Sequence, residues 1–153
     1  MRKMHLERSG DLNYKNTNRG FSLIELIIVI AIMAILIAIL APQYIRYVEK
    51  SKITNDNDLL SDIHDVIAMA IADENIERKP VNGFSGKIED LDATLYPDFV
   101  TQIQDNTGGD LASLKTKIQS RNFKGQPIMV EITSLQNVTV TVTSPDGSTS
   151  LQW

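Results

Sequence analysis

The sequence predicts an α+β fold in which a long N-terminal α-helix, transmembrane and then amphipathic, packs against a small antiparallel β-sheet head. Three observations predict it. Residues 21–41 are apolar apart from Ser22 and Glu25, apolar residues then recur at three- and four-residue steps as far as Ile71, and after Ile128 the pattern changes to strict alternation.

From Phe21 to Ala41 the chain reads FSLIELIIVIAIMAILIAILA. A helix of that length reaches about 31 Å, enough for a hydrocarbon core of about 30 Å, and helix is how such a segment satisfies its backbone in lipid. Arg2, Lys3, Arg8, Lys15 and Arg19 precede it, so the positive-inside rule places the N-terminus in the cytoplasm and the rest of the chain across the membrane. A secretory signal peptide has a shorter apolar core, about 7–15 residues, followed by a small-x-small cleavage site. Here Ile39 stands where a small residue is wanted and Pro42 follows at once. A plain anchor predicts no charge within the apolar run, and Glu25 breaks that rule. An acidic group at the bilayer centre costs about 2.5–3.5 kcal/mol on insertion scales, which makes such groups functional candidates. The competing reading is a carboxylate that snorkels to the cytoplasmic headgroups one turn in.

The 153 residues include no cysteine, which excludes disulfides, thiolate zinc sites and thiol chemistry. Residues 1–20 hold five Lys/Arg against two Asp/Glu, leaving ten against seventeen in the remainder. The part that folds is acidic, which argues against a nucleic-acid partner.

Beyond Pro42, a one-sided apolar stripe of Ile45, Val48, Leu59, Leu60, Ile63, Val66, Ile67, Ala70 and Ile71 predicts an amphipathic helix to about Arg78, ahead of Pro80. Pro42 lacks an N–H and crowds the preceding turn, so a kink or local break is expected there. Asn55-Asp56-Asn57-Asp58 is a second weak point and an expected bend, because short polar side chains compete for backbone hydrogen bonds. Met69 reads as core packing and His64 as a solvent-edge residue beside Asp65. Tyr44 and Tyr47 read as interfacial anchors or helix-packing residues.

In the remainder, Asn82-Gly83 and Ser85-Gly86 read as turns and Ile88 to Leu95 as a short helix before Tyr96-Pro97. Behind Asp110 as N-cap, Leu111, Leu114 and Ile118 predict an amphipathic helix to about Arg121. Ile128, Val130 and Ile132 then alternate with Met129, Glu131 and Thr133, and Val138, Val140 and Val142 alternate with threonines. Pro145-Asp146-Gly147 turns the chain into a third strand containing Leu151 and Trp153. The apolar face of this sheet needs cover, which the stripe from Leu59 to Ile71 supplies. Asp90, Asp92, Asp98, Asp105, Asp110 and Asp146 lack the spacing of a calcium loop, and Gly108-Gly109 lacks a P-loop lysine. No catalytic triad, cofactor or metal is expected, and an enzyme is the least favoured class.

Arg19-Gly20-Phe21-Ser22-Leu23-Ile24-Glu25 resembles the processing site of type IV prepilins, in which a membrane aspartyl peptidase cuts after the glycine and methylates the new amine. The resemblance implies that Gly20 ends a leader, that Phe21 becomes the N-methylated first residue, and that Glu25 and Pro42 are the family's glutamate and proline. Gln43-Tyr44-Ile45-Arg46-Tyr47-Val48 also resembles the segment that follows that proline, so the likeness covers about residues 18–52. There are two departures. The leader is longer than in the commonest subclass, and the disulfide-closed C-terminal loop of many Gram-negative pilins cannot form, as in cysteine-free pilins of Gram-positive bacteria.

The implied organisation is a leader at 1–20, a transmembrane and filament-core helix at 21–41, its amphipathic continuation at 42–79 and a globular head of pilin fold at 80–153. The implied function is a structural subunit of a type IV pilus. It would sit as a single-pass cytoplasmic membrane protein and then enter an extracellular homo-oligomeric filament. A prepilin peptidase, an inner-membrane assembly platform and its ATPase are the implied partners. The alternatives are a pseudopilin of a type II secretion or DNA-uptake machine, a minor pilin, and an anchored binding protein. No motif selects among adhesion, motility and secretion. A free amine at Phe21 is cationic near neutral pH, and Glu25 lies one helical turn away. In an apolar bundle a neighbour's amine satisfies that carboxylate only at one axial stagger, so Glu25 is expected to set assembly register.

Overall fold

The structure, a computed structural model, describes residues 20–80, 83–134 and 137–153. The expected leader before Gly20, with its five cations, lies outside the described residues, as does Asn82 of the expected Asn82-Gly83 turn. The chain runs α1 (Leu23–Ala72), β1 (Phe84–Lys87), a 3-10 turn (Ile88–Asp90), α2 (Pro97–Thr107), α3 (Leu111–Lys117), β2 (Met129–Ser134), β3 (Asn137–Thr143) and β4 (Ser150–Gln152). It separates into two compact units, Met1–Ala41 and Pro42–Trp153.

In the first unit, residues 21–41 bury no side chain: Phe21, ahead of the helix, is 92% exposed and even Val29, within it, is 50% exposed. A contiguous apolar surface of this extent requires a membrane or a partner, because soluble monomers rarely expose more than a few hundred Å².

In the second unit the four strands form one antiparallel sheet in the order β1-β2-β3-β4. Val130 pairs with Val140 and Ile132 with Val138, so the alternating residues of both strands meet on one face. That face and Leu60, Ile63, Ile67 and Ile71 of α1 belong to one buried cluster, which Phe99, Ile103, Leu114 and Ile118 complete. The third expected strand forms as β4, with Val142 opposite Leu151 and with Trp153 exchanging backbone hydrogen bonds with Val140.

Several elements differ from expectation. Ser85-Gly86 lies within β1, a fourth strand pairing Gly86 with Val130, where a side chain at position 86 would crowd the Phe84 ring at 3.3 Å. A glycine is tolerated in such a short edge strand. The helix expected from Ile88 to Leu95 is only a 3-10 turn, because Asp92 diverts the chain by accepting the Thr94 N–H at 2.7 Å and the Thr94 hydroxyl at 2.6 Å. Helix α2, absent from the sequence reading, begins at Pro97 and ends at Gly108, whose φ of 69° closes it by a bond to the Gln104 carbonyl.

Helix α1 is continuous through Pro42 and through Asn55–Asp58, without the expected local break or loss of helix. It stops at Ala72, short of the expected Arg78. Asp73 accepts the Asn75 N–H at 2.9 Å, and the Lys79 ammonium reaches back to the Ile71 carbonyl at 2.8 Å and to that of Asp73. A lysine at this place satisfies carbonyls that a helix end leaves open. Met69, expected in the core, is 58% exposed. His64 is partly exposed, with Nδ1 3.1 Å from Asp65.

Candidate processing and assembly site

Gly20 is exposed and lies outside the helix, and among the described residues no atom beyond its chain neighbours comes within 4 Å of where a side chain would begin. Gly20, Phe21, Ser22 and Glu25 line one open hollow at the start of the apolar helix, so three of the four expected site residues come together. The fourth, Pro42, lies inside α1.

The hydrogen bonds explain why the helix starts here. Leu26 donates to the Ser22 carbonyl at 3.3 Å, which makes Ser22 the N-cap and Glu25 the third helical residue. The Ser22 N–H in turn donates to Glu25 Oε2 at 2.9 Å. This is the reach-back half of a capping box, and the carboxylate also sits at the positive end of the helix dipole. Sequence reasoning alone misses this role of Glu25, although Ser22-x-x-Glu25 carries the spacing. Glu25 thus has a local structural function, distinct from the assembly role expected of it.

A second carboxylate cluster holds the head to α1 within the second unit. Asp56 is 1% exposed and accepts the Gln119 N–H at 2.8 Å, the Ser120 N–H at 2.9 Å and the Ser120 hydroxyl. Glu49, seven residues earlier and so on the same helix face, accepts the Arg121 N–H at 2.6 Å. Three consecutive amides are thereby withdrawn from helical bonding, which is why α3 ends at Lys117 instead of near Arg121. It is also why Asp56 does not unwind its own helix: its side chain bonds the backbone of the head, not that of α1. Nothing in the local pattern of Asn55–Asp58 marks this contact, whose partners lie more than 60 residues away.

Residues 15–41 match the family described as the prokaryotic N-terminal methylation motif. The "Type IV major fimbrial protein FimA" of Dichelobacter nodosus is 50% identical over 40 residues, 26% of either chain. The chain is type IV pilin-like. The "Prepilin peptidase-dependent protein A" of Clostridium perfringens is 29% identical over 139 residues, 87% of this chain and 91% of that one, so its likeness extends through the head. By contrast, the chain matches only about a quarter of the length of the fimbrial proteins. The matched motif includes Gly20, Phe21 and Glu25 and ends before Pro42. No solved structure matches.

Proposed function

We propose that this type IV pilin-like chain is the precursor of a pilus subunit with a structural, non-catalytic role. A prepilin peptidase cuts after Gly20 and methylates the amine of Phe21. Residues 21–41 hold the subunit as a single pass in the cytoplasmic membrane and later form the filament core. The amphipathic continuation from Pro42 to Ala72 carries the head to the filament surface, with Pro42 as the kink. An inner-membrane assembly platform and its ATPase drive extraction. The observation that carries this reading is the open Gly20 directly before a wholly uncovered apolar helix whose first turn holds a carboxylate, Glu25.

Physical chemistry supports two of these steps. Cleavage replaces the peptide nitrogen of Phe21 with a cationic amine within a turn of Glu25, so a charge partner appears only after processing. The helix moves from lipid into a bundle of like helices with little change in apolar surroundings, which favours reversible assembly.

The test is the intact mass of this protein in fibres sheared from cells. Abundant protein lacking residues 1–20 and carrying one added methyl group is the expected result. Cleaved protein confined to the membrane would replace this reading with a pseudopilin, and uncleaved protein would leave a membrane anchor.

A further inference from the structure

Two uncovered surfaces of the second unit have complementary chemistry. On α1, Arg46, Tyr47 and Lys50 fall on one face, separated by one and three residues along a helix of 3.6 residues per turn. Tyr47 is 72% exposed, both cations are exposed, and neither is within ion-pair distance of a carboxylate among the described residues. Tyr47 points away from the head, since Glu49 and Asp56, about half a turn round the helix from it, bond the head's backbone.

Farther along α1, a groove of about 380 Å³ lies between the helix and the C-terminal ends of α2 and α3. Leu59 and the exposed Met69 give it an apolar floor, and Asp62 and Asp65, both exposed, rim it with negative charge. Its one cation, Lys117, is engaged at 2.7 Å by the Thr107 carbonyl. An aromatic ring flanked by two cations matches an apolar floor flanked by two carboxylates. Tyrosine and arginine are also the residue types that most often anchor interfaces.

We infer that the occupant of this groove is a second copy of the same chain, which docks Tyr47 on the floor between Leu59 and Met69 and sets Arg46 and Lys50 against Asp62 and Asp65. The inference deepens the filament reading and rests on it. In a parallel array the two surfaces meet when neighbouring helices are staggered by about 25 Å, the rise of some 17 helical residues. The contact would then fix which neighbours touch through their heads, independently of Glu25 in the apolar segment.

The chain has no cysteine of its own, so engineered thiols report the contact cleanly. An Arg46→Cys, Asp62→Cys double variant, whose two positions lie about 24 Å apart along α1 and so oppose each other at that stagger, is expected to give a ladder of covalent multimers on non-reducing gels when oxidised in sheared fibres, while neither single variant does. Reversal by Asp62→Lys with Asp65→Lys, or by Arg46→Glu with Lys50→Glu, is expected to lower sheared fibre about tenfold, and all four together to restore it, with cleaved subunit in the membrane unchanged throughout. Fibres that form without a ladder, and reversals that neither harm nor rescue, would overturn the contact and leave the filament reading standing. Cells whose wild-type protein never enters fibres would overturn both.

Discussion

Ser120 donates both its backbone N–H and its hydroxyl to one oxygen of the Asp56 carboxylate, across 64 positions of sequence. Both residues are buried, and the other carboxylate oxygen takes the neighbouring Gln119 N–H. Asp56→Ala therefore strands three donors at once and is expected to destabilise the fold by about 3 kcal/mol, against about 1 kcal/mol for Ser120→Ala, which leaves the carboxylate its two N–H donors. Urea unfolding of the full chain in detergent reads both. An Asp56→Ala loss no larger than that of Ser120→Ala would show that the two amides find other partners.

Glu25 both caps a helix and carries a charge, and substitution separates the two. Glu25→Gln keeps a side-chain oxygen for the Ser22 N–H, whereas Glu25→Ala removes cap and charge together. If the charge sets assembly register, both variants lower the protein recovered in sheared fibres by about tenfold or more. Wild-type yield from Glu25→Gln would reduce the residue to a cap.

A Cβ at position 20 would meet no atom within 4 Å among the described residues beyond its chain neighbours, so Gly20→Val is expected to leave the helix start undisturbed. The expected result is precursor that accumulates in the membrane with residues 1–20 attached, seen by intact mass. Normal cleavage of the variant would remove Gly20 from the processing site.

Acid should weaken the C-terminal turn before β4. The Ser144 hydroxyl at 2.6 Å, with the N–H and hydroxyl of Ser148, lowers the Asp146 carboxyl from 3.8 to about 2. A lowered native pKa gives stability that is complete above the unfolded value and lost as pH falls through the native one, here from about pH 4 to about pH 2. Asp73, Asp92 and Glu89 are lowered too, held chiefly by Asn75, Thr94 and Lys115 respectively. The unfolding midpoint is therefore expected to drop across that window, and less steeply in Asp146→Asn. Parallel acid profiles for the two proteins would show that the turn contributes nothing.

What could be read from the sequence was what depends on periodicity and on close neighbours. The uninterrupted apolar run, the stripe from Leu60 to Ile71 and the alternation in β2 and β3 each express burial directly in residue order. Gly20, Phe21 and Glu25 fall within six positions, so their grouping at the helix start was legible as well. Strand β1 was not, because Gly86 reads as a turn unless its partner Val130 is known. Helix α2 has a proline at its start and a glycine at its stop, but its apolar face, only Phe99, Val100 and Ile103, is too short to stand out beside the stronger patterns. The clasp of Asp56 and Glu49 on residues 119–121 was illegible: a carboxylate on a polar stretch looks solvated until the chain 60 residues later brings its amides to it. Met69 failed for the opposite reason, since a methionine on an apolar stripe looks buried while the groove beside it stays open.

The uncovered state of residues 21–41 bears on what happens to a broken fibre. A subunit released into water would expose every apolar side chain of that helix, so on the proposed reading its equilibrium concentration outside membrane or filament is vanishingly small. Dilution then has no power to erode a fibre severed from the cell. On that same reading subunits exchange only at the end rooted in lipid, and a shed fragment persists as a relic whose length records the moment of breakage.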